Sequence, residues 1–151
     1  MRRFLVLTVL GAGCSHEEPV FTGRLSIEGD EAWSGRPDVP RHVYPHDCLS
    51  GEPVEVFGVD LFTTRGDLRF VHYPDDGPVM SFSPEDDELS PWEVRPEVCD
   101  VFRGELKRTE TKVEGISVMR GRLELDCMPY GHGLRVYGDV TFDGCAGERK
   151  Y

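Results

Sequence analysis

The chain has 151 residues, 28 of them acidic against 17 lysines and arginines, for a formal net charge of −11. That balance repels phosphate backbones, which demand clustered Lys and Arg, and so argues against nucleic acid as a partner. The length suits one domain with its own core, and 17 glycines with 11 prolines suit short strands and tight turns rather than long helices.

The N-terminus reads Met1-Arg2-Arg3, then an apolar run from Phe4 to Leu10, then Gly11-Ala12-Gly13-Cys14. Cations, a short apolar stretch and small residues make the tripartite pattern of a secretory signal. The run is well short of the ~20 residues that span a bilayer as a helix. The residues before Cys14 resemble the lipobox of bacterial lipoproteins: Ala12 and Gly13 fit its pattern, while the customary leucine sits one place early, at Leu10. The resemblance implies a diacylglyceryl group on the Cys14 sulfur and cleavage just before it. It further implies residence in the bacterial cell envelope, with the acyl chains as the contact with the membrane. Ser15, which follows the cysteine, leans toward the outer membrane. The expected division is a signal peptide over 1–13, a lipidated tether over 14–19 and one β domain over 20–151. An ordinary signal cut near Ala12 is the alternative.

Downstream, period-two alternation dominates and helical periodicity is scarce. The pattern predicts strands over Val20–Ile27, Val54–Phe62, Leu68–Tyr73, Val79–Phe82, Val98–Arg108, Val113–Asp126 and Leu134–Phe142. In the last, Leu134, Val136, Val140 and Phe142 share one face, and Arg135, Tyr137, Asp139 and Thr141 the other. Turn chemistry at Arg65-Gly66-Asp67, Pro74-Asp75-Asp76-Gly77 and Tyr130-Gly131-His132-Gly133 separates strands. The stretches Gly29–Ser50 and Pro84–Pro96 are expected to be loops. An apolar-x-Gly-x-apolar pattern recurs around Gly23, Gly104, Gly121 and Gly138, which suggests a bend or an aromatic ring laid over bare backbone. The expected architecture is all-β, a β-sandwich of about seven antiparallel strands, with a small closed barrel as the alternative.

Five cysteines is an odd number; a lipid on Cys14 leaves Cys48, Cys99, Cys127 and Cys145 to form two disulfides in an oxidising compartment. If successive strands reverse, Cys99 and Cys127 lie at one end of the sandwich, and Cys48 and Cys145 at the other. A Cys127–Cys145 bridge would have to cross a strand of roughly 30 Å, whereas a disulfide needs Cα atoms within about 7 Å. The expected pairs are Cys99–Cys127 and Cys48–Cys145.

Candidates for chemistry are few. His42 and His46 flank Tyr44 and Pro45 beside Asp47 and Cys48; the spacing would suit a metal on a helix, but Pro45 opposes helix there. Asp75-Asp76 and Glu85-Asp86-Asp87-Glu88 offer calcium-like carboxylates without the spacing of an EF-hand loop. No Gly-x-Ser-x-Gly elbow and no phosphate-cradling glycine loop occurs, so no catalytic residue and no cofactor is assigned. The expected function is a non-enzymatic envelope lipoprotein, a structural or binding module that meets an envelope protein partner. The rivals are a ligand-binding or catalytic β domain with an apolar pocket and a calcium-stabilised adhesion module.

Overall fold

Burial alternates along much of the last strand of this chain, because successive side chains of a strand point to opposite faces. The computed structural model describes residues 18–29, 41–85, 89–131 and 133–147. Ten strands lie among the described residues: β1 (Val20–Glu28), β2 (Arg41–Val43), β3 (Pro45–Ser50), β4 (Gly58–Thr63), β5 (Gly66–Tyr73), β6 (Gly77–Pro84), β7 (Trp92–Val94), β8 (Cys99–Val113), β9 (Ile116–Cys127) and β10 (Arg135–Cys145). They form two five-stranded antiparallel sheets, ordered β2-β1-β10-β9-β8 and β3-β4-β5-β6-β7. The architecture is a β-sandwich, and neither sheet closes into a barrel.

The sheets meet through their apolar faces. Leu25, Leu123, Val136, Val140 and Phe142 from the first sheet bury against Leu61, Leu68, Phe70, Met80 and Phe82 from the second. As the alternation in the last strand predicts, Val136, Val140 and Phe142 are inside, while Asp139 and Thr141 face water.

The strand count corrects the sequence reading. Two stretches expected to be loops contain β2, β3 and β7. β2 and β7 escape a periodicity search because three residues are too few to show a period, and β3 because it opens on Pro45-His46-Asp47. Between β2 and β3 the chain changes sheets across the single residue Tyr44. Pro45 follows, and a proline has no N–H to continue a ladder. Val54, expected in a strand, closes a single 3-10 turn over Glu52–Val54. The β8–β9 turn also lies further on than expected, at Glu114-Gly115, where both residues have positive φ as a two-residue hairpin loop requires.

Two disulfides are present, with the expected partners. Cys99 and Cys127 face each other across β8 and β9, with Cα atoms 4.0 Å apart. Cys48 and Cys145 join the two sheets, with Cα atoms 5.1 Å apart. Cys48 reaches its partner by an unexpected route: it sits within β3, opposite Leu61, rather than ahead of its strand.

The recurrent glycines divide by cause. A Cβ on Gly104 would lie 2.9 and 3.0 Å from the Cε atoms of Phe70, and closer still to Cζ. At Gly121 a Cβ would meet both the Glu105 carbonyl of β8 and the Phe142 ring of β10. At Gly23 and Gly138 a side chain would instead run into the partner-strand carbonyls of Asp139 and Arg24.

Candidate functional site

The outer face of the second sheet is built by the outward set of the same alternation: Leu49 on β3, Asp60 and Phe62 on β4, Asp67 and Arg69 on β5, Ser81 and Ser83 on β6. Leu49 and Phe62 break the polar pattern there and remain half-buried. Two adjoining open concavities run over them. One, of about 480 Å³, lies toward Pro53 and Val54; the other, of about 750 Å³, lies toward His46 and Glu85. Leu49, Phe62, Asp67 and Ser83 line both, so the two form one groove.

Fixed backbone frames both ends of this groove. At one end the 51–57 loop closes on itself: Gly51 N donates to Gly58 O at 2.9 Å, and Val56 N donates to Gly51 O at 3.1 Å. His72 N donates to Phe57 O at 2.9 Å, and Ser117 N of β9 donates to the Glu52 carboxylate at 2.6 Å, tying the loop to both sheets. The Ser117 N–H bond is the main reason the Glu52 carboxyl is held below the usual glutamate range. At the other end, Thr63 Oγ1 donates to Gly66 O at 2.6 Å and accepts from Arg65 N at 3.1 Å, while Glu85 N donates to Arg65 O at 2.9 Å.

The groove is acidic. Arg69 grips Asp60 through two bonds of 2.6 and 3.0 Å, and this bond raises the pKa of the guanidinium. Asp47, Asp67 and Glu85 add further carboxylates along the other half. An apolar floor between carboxylates suits a partner that presents an apolar group beside basic ones.

The outer face of the first sheet is different, because its polar groups engage one another. His42 Nδ1 lies 2.9 Å from Ser26 Oγ. Tyr137 Oη donates to Glu28 at 3.2 Å. Arg135 makes two 2.7 Å bonds to Asp126 and stacks 5.0 Å above the Tyr137 ring. Arg135 holds the Asp126 carboxyl low, and burial, then Glu28, pushes the Tyr137 hydroxyl up. Ser26 and His42 face each other on β1 and β2, but the serine is only 5% exposed. The pair joins β1 to β2 in a cross-strand polar row, with His42 exposed.

The sequence candidates are scattered. His42 lies on the outer face of the first sheet, whereas His46 lines the groove on the second. Asp75 and Asp76 are exposed in the β5–β6 turn. Among the described residues, no three His, Cys, Asp or Glu side chains gather as metal ligands would. Gly66 and Asp67 belong to β5, which leaves only Thr64 and Arg65 in the turn before it. Tyr130 is 90% exposed in the β9–β10 connection. Cys14, the 1–13 segment, Asp86, Asp87, Glu88 and His132 lie outside the described residues. Sequence reasoning missed Leu49, Phe62, Asp60 and Arg69; the available signal was Phe62, an apolar residue on the polar face of an alternating strand.

No protein family, no curated protein and no solved structure matches the chain. Among the described residues, no helix is long and apolar enough to cross a membrane.

Proposed function

We propose that the chain is a non-enzymatic binding module of the bacterial envelope, tethered by a lipid on Cys14, with the outer face of the second sheet as its contact surface. The observation that carries this reading is the continuous groove over Leu49 and Phe62, framed at both ends by hydrogen-bonded backbone. A disulfide-stapled sandwich presents such a surface with little reorganisation on binding, which lowers the entropic cost of association. The lipobox resemblance and the parity of the cysteines support the tether. The partner is an envelope protein offering an apolar side chain with basic neighbours.

The test places a photo-crosslinking residue at Phe62 or Ser83 in the groove, and at Thr141 on the opposite face, in cells of the source bacterium. Adducts at 62 and 83 that are absent at 141, and that disappear when Leu49→Asp is added, are expected. Equal labelling at all three sites, or adducts indifferent to Leu49→Asp, would overturn the assignment.

A further inference from the structure

The first sheet ends in β8, a 15-residue strand with a single neighbour, β9. Among the described residues, no backbone hydrogen bond joins the other side of β8 to another part of the chain. A long unprotected edge is a template for a further strand. Register shifts near Cys99–Val101 and Arg108–Lys112 bracket a regular stretch between them. Within it the charges alternate: Arg103, Glu105 and Lys107 point outward, while Phe102, Gly104 and Leu106 point toward the second sheet.

We propose that this edge pairs antiparallel with β8 of a second copy of the chain, about a two-fold axis through Gly104. The surface is separate from the groove. A two-fold axis normal to the sheet keeps each face continuous, so residues of like parity must meet. With Gly104 on the axis, Arg103 meets Glu105 of the second copy, and Glu105 meets its Arg103. On the inner face Phe102 meets Leu106 of the second copy, again twice. Moving the axis to Arg103 sets that arginine against itself. Moving it to Glu105 sets glutamate against glutamate and Arg103 against Lys107. An axis at Leu106 runs past the Arg108–Lys112 irregularity and puts Phe102 opposite Glu110.

The inner face supplies an independent reason. Beneath the edge lies an open cleft of about 330 Å³ lined by Phe57, Phe70, Gly104 and Leu106. The Phe70 ring reaches the bare backbone of Gly104 there, with Phe102 at 6.4 Å from it, centroid to centroid. Two Phe102–Leu106 pairs placed around the axis cover this seam. The existing partners of the edge charges are weak competitors: Arg103 is 3.4 Å from Glu124, Glu105 is 3.6 Å from Lys107, and all but Glu124 are largely exposed.

The test is sedimentation velocity of the full chain over a concentration series in density-matched detergent. The wild type is expected to shift from monomer to dimer. Arg103→Glu is expected to weaken the dimer about tenfold, by turning two attractive cross-strand pairs repulsive. Adding Glu105→Arg restores the dimer, although residue 103 then still faces Glu124 with like charge within its own chain. Lys107→Glu, which meets Val101 in this register, leaves the dimer unchanged. Circular dichroism on each variant checks that it is folded. A chain that stays monomeric throughout, a double variant as weak as Arg103→Glu alone, or a Lys107→Glu variant that dissociates would each overturn the proposal.

Discussion

Gly104→Ala is the sharpest perturbation of this fold. Phe70, at 1% exposure, occupies the space a Cβ would need, and it is packed into the core from the other sheet. Overpacking of this kind costs about 1–3 kcal/mol. Replacing glycine also restricts the unfolded chain, which returns about 0.4–1 kcal/mol. The net expectation is a loss of about 1–2 kcal/mol, read in urea as a midpoint lowered by about 0.5–1 M for a typical slope. Phe70→Leu removes the ring atoms that collide, at a cost of about 1–3 kcal/mol for the lost ring and the cavity it leaves. In that background Gly104→Ala should be neutral or stabilising, so the double-mutant cycle should show a coupling of about 1 kcal/mol or more. Any effect of residue 104 that does not pass through Phe70 cancels in the cycle, and because both residues line the cleft under the β8 edge the cycle is run at a concentration where the chain is monomeric. A neutral Gly104→Ala in the wild type, or an unchanged penalty in the Phe70→Leu background, would refute the reasoning.

The two disulfides should differ in worth. Their separations of 97 and 28 residues give about 4.7 kcal/mol for Cys48–Cys145 and about 3.5 kcal/mol for Cys99–Cys127 in the chain-entropy model, so paired alanine substitutions should lower the urea midpoint in that order. Glu52 has a lowered folded-state pKa, so its contribution is present above the ordinary glutamate range and is lost as pH falls through the lowered value. Midpoints measured against pH should therefore separate wild type from Glu52→Gln at neutral pH and converge in acid. Labelling with a fatty acid should mark the wild type but not Cys14→Ser, which should also leave the membrane fraction.

What the sequence discloses depends on how each element earns its stability. Where a long strand is buried on one face, burial imprints a period of two, and Leu134 to Phe142 is readable for that reason. β2 and β7 are held by neighbours in a sheet, through pairings such as Ser26 with His42 and Met80 with Val94, and at three residues each they are too short for alternation to be read as a period. The disulfide pairing came out although β3, which holds Cys48, and β7, which precedes Cys99, were both missed: each missed strand flips the parity, and two flips cancel. The ring over Gly104 was foreshadowed by glycine on an inward register, but not its owner, since Phe70 comes from the other sheet. The groove was hidden for a related reason. Leu49, Phe62 and Ser83 are far apart in sequence and become neighbours only when β3 to β6 pair.

The two outer faces of the sandwich differ in what they present. On the first sheet, Arg103–Glu124, Arg122–Asp139 and Arg135–Asp126 spread opposite charges across three strands. Exposed pairs of this sort add about 0–1 kcal/mol each. Their stronger effect is on register, since a slip of one residue would turn every one of these charges into the core. Exposed pairs of this kind exchange partners at little cost, so they fix register more than they bar a contact, and what this face lacks among its described residues is an apolar patch like that over Leu49 and Phe62. On the second sheet the 51–57 loop covers Val71 and stops short of Leu49 and Phe62, so apolar surface is left beside carboxylates between two braced rims. On the proposed reading, that asymmetry favours the second sheet as the contact surface. It also accounts for the cost of anchoring the loop through Glu52 to the first sheet: without that brace, the rim nearest Pro53 would move with the loop rather than with the fold.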